Sequence, residues 1–187
     1  MATTAATMLH HKTICFTPGA AILNPMKQRL QAWGDSKIIK IVGAFVFNDD
    51  GEVLLLQRHT DDLGGGQWGT PGGRIEAGET TAQAMARELQ EETGLTKVDL
   101  RELGAHHIRM PHGTVHMTSY HAVIPGGVTI VTDPDEHHDH RWFTLGSLVG
   151  DPAILYGAPS IMRDFGLLSF AGADWTLVGG SSVELLI

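Results

Sequence analysis

Five segments of the chain carry the residue pattern of β-strands, with β-branched, aromatic and other apolar residues in short runs bounded by turn residues. They are residues 37–47, 52–58, 98–110, 113–124 and 141–145. The sequence NDDG separates the first two segments. It predicts a β-hairpin, because asparagine, aspartate and glycine accommodate the backbone of a tight turn.

One long helix is predicted from Thr81 to Thr93, followed by Gly94 as its C-terminal cap. Apolar residues recur along it at the helical spacings i, i+3, i+4 and i+7. They are Ala82, Met85, Ala86 and Leu89. We expect this stripe to pack against the sheet.

Outside these segments the pattern is weaker. The sequence NPMKQRLQAWG, residues 24–34, is compatible with a short helix that has proline at its first position. A helical turn is predicted from Gly146, a further helix near residues 160–165, and a strand near residues 175–178. Strand pairs followed by one strong helix, more strands and a later helix predict an α+β fold, in which helices pack on a mixed sheet.

Length and composition suit one domain with a substantial core, since the chain has 187 residues of which 42% are hydrophobic. We predict that residues 37–150 form this domain. Residues 1–36 are then an N-terminal extension, and residues 151–187 are a C-terminal segment that packs on the domain or extends it.

The charge balance argues against nucleic acid or an anionic membrane as a partner, because 21 acidic and 13 basic residues give a net charge of −8. A phosphorylated small molecule remains compatible, since a bound divalent cation can invert the local field. Cys15 is the only cysteine, so no intrachain disulfide can form. The N-terminal residues do not resemble a signal peptide, and we expect a cytoplasmic protein.

A second stripe on the predicted helix is acidic: Glu88, Glu91 and Glu92 follow the spacing i, i+3, i+4. Like charges at these spacings repel, and the C-terminal end of a helix also disfavours negative charge. Two interpretations remain open on the helix alone. The stripe is either a solvated face or a set of ligands for a divalent cation such as Mg²⁺, which prefers carboxylate oxygens.

The residues around the stripe favour the cation. Gly73, Glu79, Arg87, Glu88, Leu89, Glu91, Glu92, Gly94 and Leu95 fill every fixed position of the pattern G-x5-E-x7-R-E-U-x-E-E-x-G-U, where U is a bulky aliphatic residue. This segment resembles the Nudix box, the signature of hydrolases that act on a nucleoside diphosphate linked to another group. The resemblance extends, with falling precision, from about Ile39 to Leu148.

The resemblance implies an α/β/α sandwich with a central mixed sheet, and a loop–helix–loop segment that binds Mg²⁺ or Mn²⁺. Glu88 and Glu92 would be the principal metal ligands, with Glu91 a ligand or a catalytic partner. The backbone carbonyl of Gly72 would be a further ligand. Glu79 and Arg87 would orient these groups.

The residue that accepts a proton from the attacking water is not fixed by the box, because family members differ. Glu136, shortly before the strand that contains Trp142, is the candidate from a later loop, and a box glutamate is the alternative. His137, His138 and His140 follow it directly. We do not assign them to a zinc site, because they lie in one segment predicted as a loop and no cysteine is near.

The box says little about the rest of the substrate. A nucleoside triphosphate, normal or oxidised, is the favoured expectation, hydrolysed to a monophosphate and pyrophosphate. ADP-ribose or another nucleotide sugar is the alternative, and Pro111 stands at a spacing seen in such hydrolases. A non-catalytic nucleotide sensor is a further alternative. Arg58, Trp68 and Arg74 are the candidate substrate-binding residues, and a homodimer is compatible with the sequence.

Overall fold

A computed structural model describes most of the predicted domain and parts of its flanks. The described residues are 12–15, 38–60, 65–110, 113–148, 151, 153–154, 161–162, 167–171 and 174–177. The helices predicted near residues 24–34 and 160–165 fall wholly or largely outside them. Pro111 is also outside them.

The described residues form a seven-stranded mixed sheet and a separate two-stranded sheet. The strands are β1 Lys12–Cys15, β2 Ile38–Phe47, β3 Val53–Arg58, β4 Trp68–Gly69, β5 Arg101–Met110, β6 Gly113–Val123, β7 His137–Phe143, β8 Leu168–Ala171 and β9 Asp174–Leu177. The large sheet has the order β1-β5-β6-β2-β3-β4, and β7 pairs with β3. Strands β1 and β5 are parallel, as are β2 and β6, whereas the other pairs are antiparallel.

The predicted hairpin is present, but its two strands separate at once. Asn48 shapes the turn, since its Oδ1 accepts hydrogen bonds from the backbone N–H groups of Asp50 and Glu52. Only Phe47 and Val53 are paired between β2 and β3. Beyond this pair, residues 71–75 run beside β2: the Val42 N–H donates to the Gly73 carbonyl at 2.9 Å. The loop that leads into the helix is therefore held by the sheet.

Successive residues of β2 and β3 point to opposite faces, as strand geometry requires. One face buries Val42, Ala44, Val46, Leu54 and Leu56 together with Met85 and Leu89 of the helix. The other face buries Phe45, Phe47, Val53 and Leu55 with Trp68, Phe143 and residues of the C-terminal part, namely Leu145, Leu148, Ile154, Ile161, Met162 and Leu167. Apolar layers on both faces of a mixed sheet confirm the predicted α+β fold.

Helix α1 extends from Thr81 to Thr93, as predicted. Thr80 and Gln83 form a capping box, in which each side chain binds the other residue's backbone N–H. Gly94 ends the helix in the left-handed conformation, with φ of 71°. A second helix, α2, is one turn long and extends from Leu145 to Leu148.

The predicted apolar stripe of α1 is partly wrong. Met85 and Leu89 are buried, but Ala82 and Ala86 are exposed. The buried face also contains Ala84, Glu88 and Glu92. The helix is therefore rotated relative to the prediction, so that two of the three clustered glutamates face inward.

Strand β7 begins at His137, inside the segment that the sequence predicted as a loop. Its polar residues pair with β3, from Arg58 opposite His137 to Val53 opposite Phe143. The predicted strand near residues 175–178 corresponds to β9. None of the helices among the described residues is long and apolar enough to cross a membrane.

Candidate metal centre and active site

Two glycines allow the loop before α1 to approach both the sheet and the helix. Gly72 has φ of 149°, and a Cβ there would overlap the Val42 carbonyl of β2. At Gly73 a Cβ would lie 2.5 Å from both carboxylate oxygens of Glu88. A side chain at either position would displace the loop or the carboxylate, so the two glycines permit Glu88 to lie against the backbone.

Arg87 connects three glutamates and the loop. Its Nε and Nη2 bind the two carboxylate oxygens of Glu79 at 2.8 and 3.0 Å. Its Nη1 lies 2.9 Å from both Glu88 Oε1 and Glu91 Oε2, and Nη2 also donates to the Arg74 carbonyl. A planar guanidinium supplies several donors in fixed directions, which fits it to hold several oxygens at once.

Glu92 occupies a different environment, deeper against the sheet. It is 5% exposed, and its Oε2 accepts a hydrogen bond of 2.6 Å from the Gly72 N–H. Its other oxygen, Oε1, lies 3.6 Å from Nε2 of His137. Single ligand atoms of Glu92, Glu136 and His137 lie within 4.8 Å of one another. The carboxyl end of α1 therefore meets the start of β7.

A tight turn directs Glu136 and His137 to this point. The Asp133 carbonyl accepts hydrogen bonds from the N–H groups of both residues, at 3.2 and 2.9 Å. Asp133 Oδ1 accepts a further bond from the Asp135 N–H. Neighbours in an extended strand point to opposite faces, but Glu136 ends a turn and His137 begins β7. Both can therefore contribute to one cluster.

The environment shifts the pKa values of these carboxyl groups in opposite directions. Hydrogen bonds from Arg87 lower the pKa of Glu79 to about 2. Burial raises the pKa of Glu88. Burial also raises the pKa of Glu92 to about 8, reinforced by the charges of Glu88 and Glu136 and opposed by the Gly72 N–H and by Arg58. A cation would favour the ionised forms of Glu88 and Glu92, which burial disfavours.

The donor set fits Mg²⁺ or Mn²⁺. Both ions prefer oxygen ligands, and carboxylates that repel one another in the free protein gain from a shared cation. Glu88 and Glu92 present such oxygens next to a glycine backbone, and Glu136 lies close enough for its charge to act on both. The acidic stripe is therefore not a simple solvated face, since Glu88 and Glu92 are both buried.

A model of the NUDIX domain matches residues 37–165 of this chain. The chain belongs to the NUDIX family. The resemblance drawn from the box is confirmed, and residues 73–95 of this Nudix domain are the segment described above. A MutT protein from Methanosarcina mazei Go1 shares the fold, with a TM-score of 0.62 and 24% identity over 70% of this chain and 94% of that one.

Two curated relatives are pyrophosphohydrolases. An RNA pyrophosphohydrolase from Halorhodospira halophila is 47% identical over 64 residues, which are 34% of this chain and 33% of that protein. A CTP pyrophosphohydrolase from Escherichia coli is 32% identical over 85 residues, 46% of this chain and 62% of that protein. The chain thus spans about a third of the first relative and less than two thirds of the second.

The structure places the other predicted site residues of the Nudix domain in several environments. Glu91 is 55% exposed in its side chain and is bound by Arg87. Arg58 ends β3 close enough for its charge to lower the pKa of Glu92. Arg74 is exposed in the loop before α1. Trp68 is buried and packs edge-on against Phe143, with 5.2 Å between ring centres, which favours packing over base stacking.

Of the three histidines considered for zinc, His137 belongs to the cluster, whereas His138 stacks on His59 with ring centres 3.8 Å apart. The position of His137 beside Glu92 was not predicted from the sequence. The available signal was its position next to Glu136, but the turn that brings the two together is not visible in the pattern of residues.

Proposed function

We propose that this chain is a Nudix hydrolase that cleaves the diphosphate linkage of a nucleoside triphosphate in a divalent-cation-dependent reaction, releasing a nucleoside monophosphate and pyrophosphate. The observation that carries the proposal is the inward-facing pair Glu88 and Glu92, buried beside Glu136 although their charges repel. Such an arrangement is costly in a free protein and useful for holding a cation.

Glu88 and Glu92 would hold Mg²⁺ or Mn²⁺, with the Gly72 carbonyl as a further ligand. A bound cation neutralises phosphate charge and lowers the pKa of the attacking water. Arg87 keeps the Glu88 carboxylate in place from one side, and the Gly72 N–H orients Glu92 from the other. Glu79 and Glu91 act through Arg87, whose guanidinium they hold.

Glu136 is the residue that we assign as proton acceptor. Its carboxylate is exposed, unlike those of Glu88 and Glu92, and it lies in the same cluster. An exposed carboxylate can take a proton from water and return it to solvent. Arg58 at the end of β3 and Arg74 in the loop before α1 supply positive charge and would contact substrate phosphates.

The choice of a nucleoside triphosphate is supported by one relative named as a CTP pyrophosphohydrolase and another, from Haemophilus influenzae, named as an 8-oxo-dGTP diphosphatase. Relatives named for RNA and NAD-capped RNA make RNA ends the substrates to compare. The expectation that no nucleic acid binds therefore needs a direct test. A solved Nudix domain complexed with ADP ribose is similar in fold only, at 22% identity.

A product-identified hydrolysis screen tests the proposal. The panel contains normal and oxidised nucleoside triphosphates, ADP-ribose, a dinucleoside polyphosphate, NADH and triphosphate-ended and NAD-capped RNA, each with Mg²⁺, with Mn²⁺ and with excess chelator. We expect cation-dependent release of pyrophosphate from a triphosphate. Turnover of ADP-ribose or of RNA alone would redirect the substrate assignment, and binding without turnover of any compound would indicate a sensor.

A further inference from the structure

His137 is buried in the candidate metal centre and has no role in the mechanism proposed above. It is 6% exposed, and its Nε2 faces Oε1 of Glu92 across 3.6 Å. The same imidazole, Glu92 and Glu136 each offer one ligand atom within 4.8 Å of the others. A nitrogen donor therefore lies among the oxygen donors.

The backbone directs His137 into this position. Its N–H is bonded to the Asp133 carbonyl, and its Cα is paired with Arg58 of β3. The pairing of β3 with β7 shifts register between Gln57 and Arg58. Such an irregularity re-aims the side chains at the end of a strand pair. The side chain of His137 is thus held on the buried side, beside the last turn of α1.

The separation of 3.6 Å is informative. It is longer than a normal hydrogen bond of about 2.7–3.2 Å. Two donor atoms that each lie about 2.1 Å from one octahedral ion are about 3.0 Å apart when adjacent and about 4.2 Å apart when opposite. The 3.6 Å between Nε2 of His137 and Oε1 of Glu92 falls between these values, so one cation can bind both atoms after a small movement of the side chains.

We propose that His137 supplies an imidazole ligand to the cation beside Glu92, so that this site prefers Mn²⁺ to Mg²⁺. The inference rests on the proposed function, because it concerns the same cation. Both ions prefer oxygen ligands, but Mn²⁺ belongs to the first-row transition metals and accepts one imidazole nitrogen among oxygen ligands more readily than Mg²⁺ does. With His137 as a ligand, the exposed carboxylate of Glu136 stays available to accept a proton.

The direct test is electron spin-echo spectroscopy of Mn²⁺ bound to the full-length protein. Protein labelled with ¹⁵N only in histidine is compared with unlabelled protein. We expect a coupling from a directly bound nitrogen that changes from the ¹⁴N to the ¹⁵N pattern. This measurement needs no substitution, so it does not depend on how a variant folds.

Titration calorimetry with Mn²⁺ and Mg²⁺ supplies a second readout. His137→Ala and His137→Gln should weaken Mn²⁺ binding by at least about tenfold. Mg²⁺ binding should change by less than about threefold, because its oxygen ligands remain. His138→Ala is the matched control, since this neighbour stacks on His59 outside the cluster, and it should leave both affinities unchanged.

Mn²⁺ binding without any nitrogen coupling would overturn the inference and leave the proposed function standing. An equal loss of Mn²⁺ and Mg²⁺ affinity in both His137 variants would also overturn it, because His137 would then only position Glu92. If neither cation binds the wild-type protein and no substrate is cleaved, the inference and the proposed function both fail.

Discussion

Glu79 and Glu92 are both glutamates of the same Nudix box, yet their environments shift their pKa values in opposite directions. The pKa of Glu79 is lowered to about 2, and that of Glu92 is raised to about 8. Arg87 binds both oxygens of Glu79. Glu92 is buried, and it receives one backbone hydrogen bond, from Gly72, and repulsion from Glu88 and Glu136. The first carboxylate has its counter-charge within the protein, whereas the second lies among other acids.

This difference distinguishes residues that position the site from residues proposed to bind the cation or react. A carboxylate whose two oxygens are both bound by an arginine, as in Glu79, has little to offer a cation, whereas Arg87 binds only Oε1 of Glu88. A buried carboxyl group with a raised pKa costs stability when ionised, and a cation relieves that cost. On this basis we propose that Glu79 and Arg87 form a structural frame, and that Glu88, Glu92 and Glu136 form the reactive part.

Removing the charge of Glu92 or Glu88 should have the largest effect on activity. Glu92→Gln and Glu88→Gln keep the size of the side chain but lose the anionic ligand. We expect each to lower kcat/KM by roughly a thousandfold or more, equivalent to several kcal/mol of transition-state stabilisation. Calorimetric titration should show weakened binding of Mg²⁺ and Mn²⁺.

The cation-free fold should not suffer from the same change. With a pKa of about 8, Glu92 mostly holds its proton at pH 7, and glutamine resembles that neutral form. The unfolded chain ionises this carboxyl group near its ordinary pKa of 4.5, so wild type loses stability relative to Glu92→Gln as the pH rises from 4.5 to about 8. The free energy of unfolding of Glu92→Gln should therefore match that of wild type near pH 4 and exceed it at pH 7, and the excess should level off above pH 8. Glu76→Gln, at an exposed acid of the same box, is the control. Wild-type turnover by both Glu88→Gln and Glu92→Gln would refute the cation assignment.

Glu136→Gln tests the residue assigned as proton acceptor. We expect kcat to fall by about 10²–10⁴-fold, because the water would lose its general base. Cation affinity should change little if His137 rather than Glu136 completes the ligand set. Asp135→Asn, at the adjacent exposed acid of the same turn, is the matched control. Near-normal turnover of Glu136→Gln would place the proton acceptor within the box.

The sequence predicted where the helices and strands of this domain lie better than it predicted which of their faces are buried. The bounds of α1 followed from Thr81, Thr93 and the cap at Gly94, because these signals are local. Its orientation did not. Ala82 and Ala86 counted as apolar but are small enough to lie exposed, while Glu88 and Glu92 turned inward.

The inward turn depends on contacts distant in the sequence. Glu92 accepts a bond from the N–H of Gly72, and Glu88 occupies space left by the missing side chain of Gly73. Likewise, the polar start of β7 became a strand because β3 pairs with it, which placed His137 beside Glu92. A hydrophobicity pattern contains none of these contacts, whereas the complete box motif was sufficient to predict the family.

Breaking the frame should reduce stability more than the metal-ligand variants do. Arg87→Ala leaves Glu79, Glu88 and Glu91 without their shared partner, and the side chain of Arg87 is only 23% exposed. We expect a loss of about 2–3 kcal/mol in the free energy of unfolding, below the range for fully buried pairs. Arg87→Lys should lower the free energy of unfolding by a smaller amount, since a lysine ammonium group retains the charge but cannot bind both oxygens of Glu79 in a fork.

Urea unfolding of the cation-free protein at pH 7 measures this loss. Arg101→Ala removes an exposed arginine from β5 and is the control. If Arg87→Ala is as stable as wild type while activity falls, Arg87 belongs to the reactive part. The division between frame and reactive residues would then need to be redrawn.

The smallest expected effect lies outside the site, at a buried histidine whose protonated form is disfavoured by burial. His121 on β6 is 5% exposed, and its ring lies 5.4 Å from that of Phe47. Burial lowers its pKa to about 4 from the ordinary value of 6.5, and the charge of Arg101 adds to this. Between these pH values the unfolded chain binds a proton that the folded protein does not.

Stability from His121 is therefore complete above pH 6.5 and is lost as the pH falls toward 4. Partial solvent screening reduces the expected loss to about 1–2 kcal/mol, from the roughly 3 kcal/mol that an unscreened shift of this size would give. His121→Phe keeps an aromatic ring and cannot titrate, so its unfolding free energy should decline less than that of wild type over this interval. The difference between the two urea-unfolding curves, measured at several pH values, isolates the histidine from the titrating carboxylates.

The control is His138→Phe, which lies at an exposed position and should follow wild type. Parallel curves for His121→Phe and wild type would mean that the pKa of His121 is similar in the folded and unfolded protein. Burial would then shift the pKa of His121 less than it shifts that of Glu92.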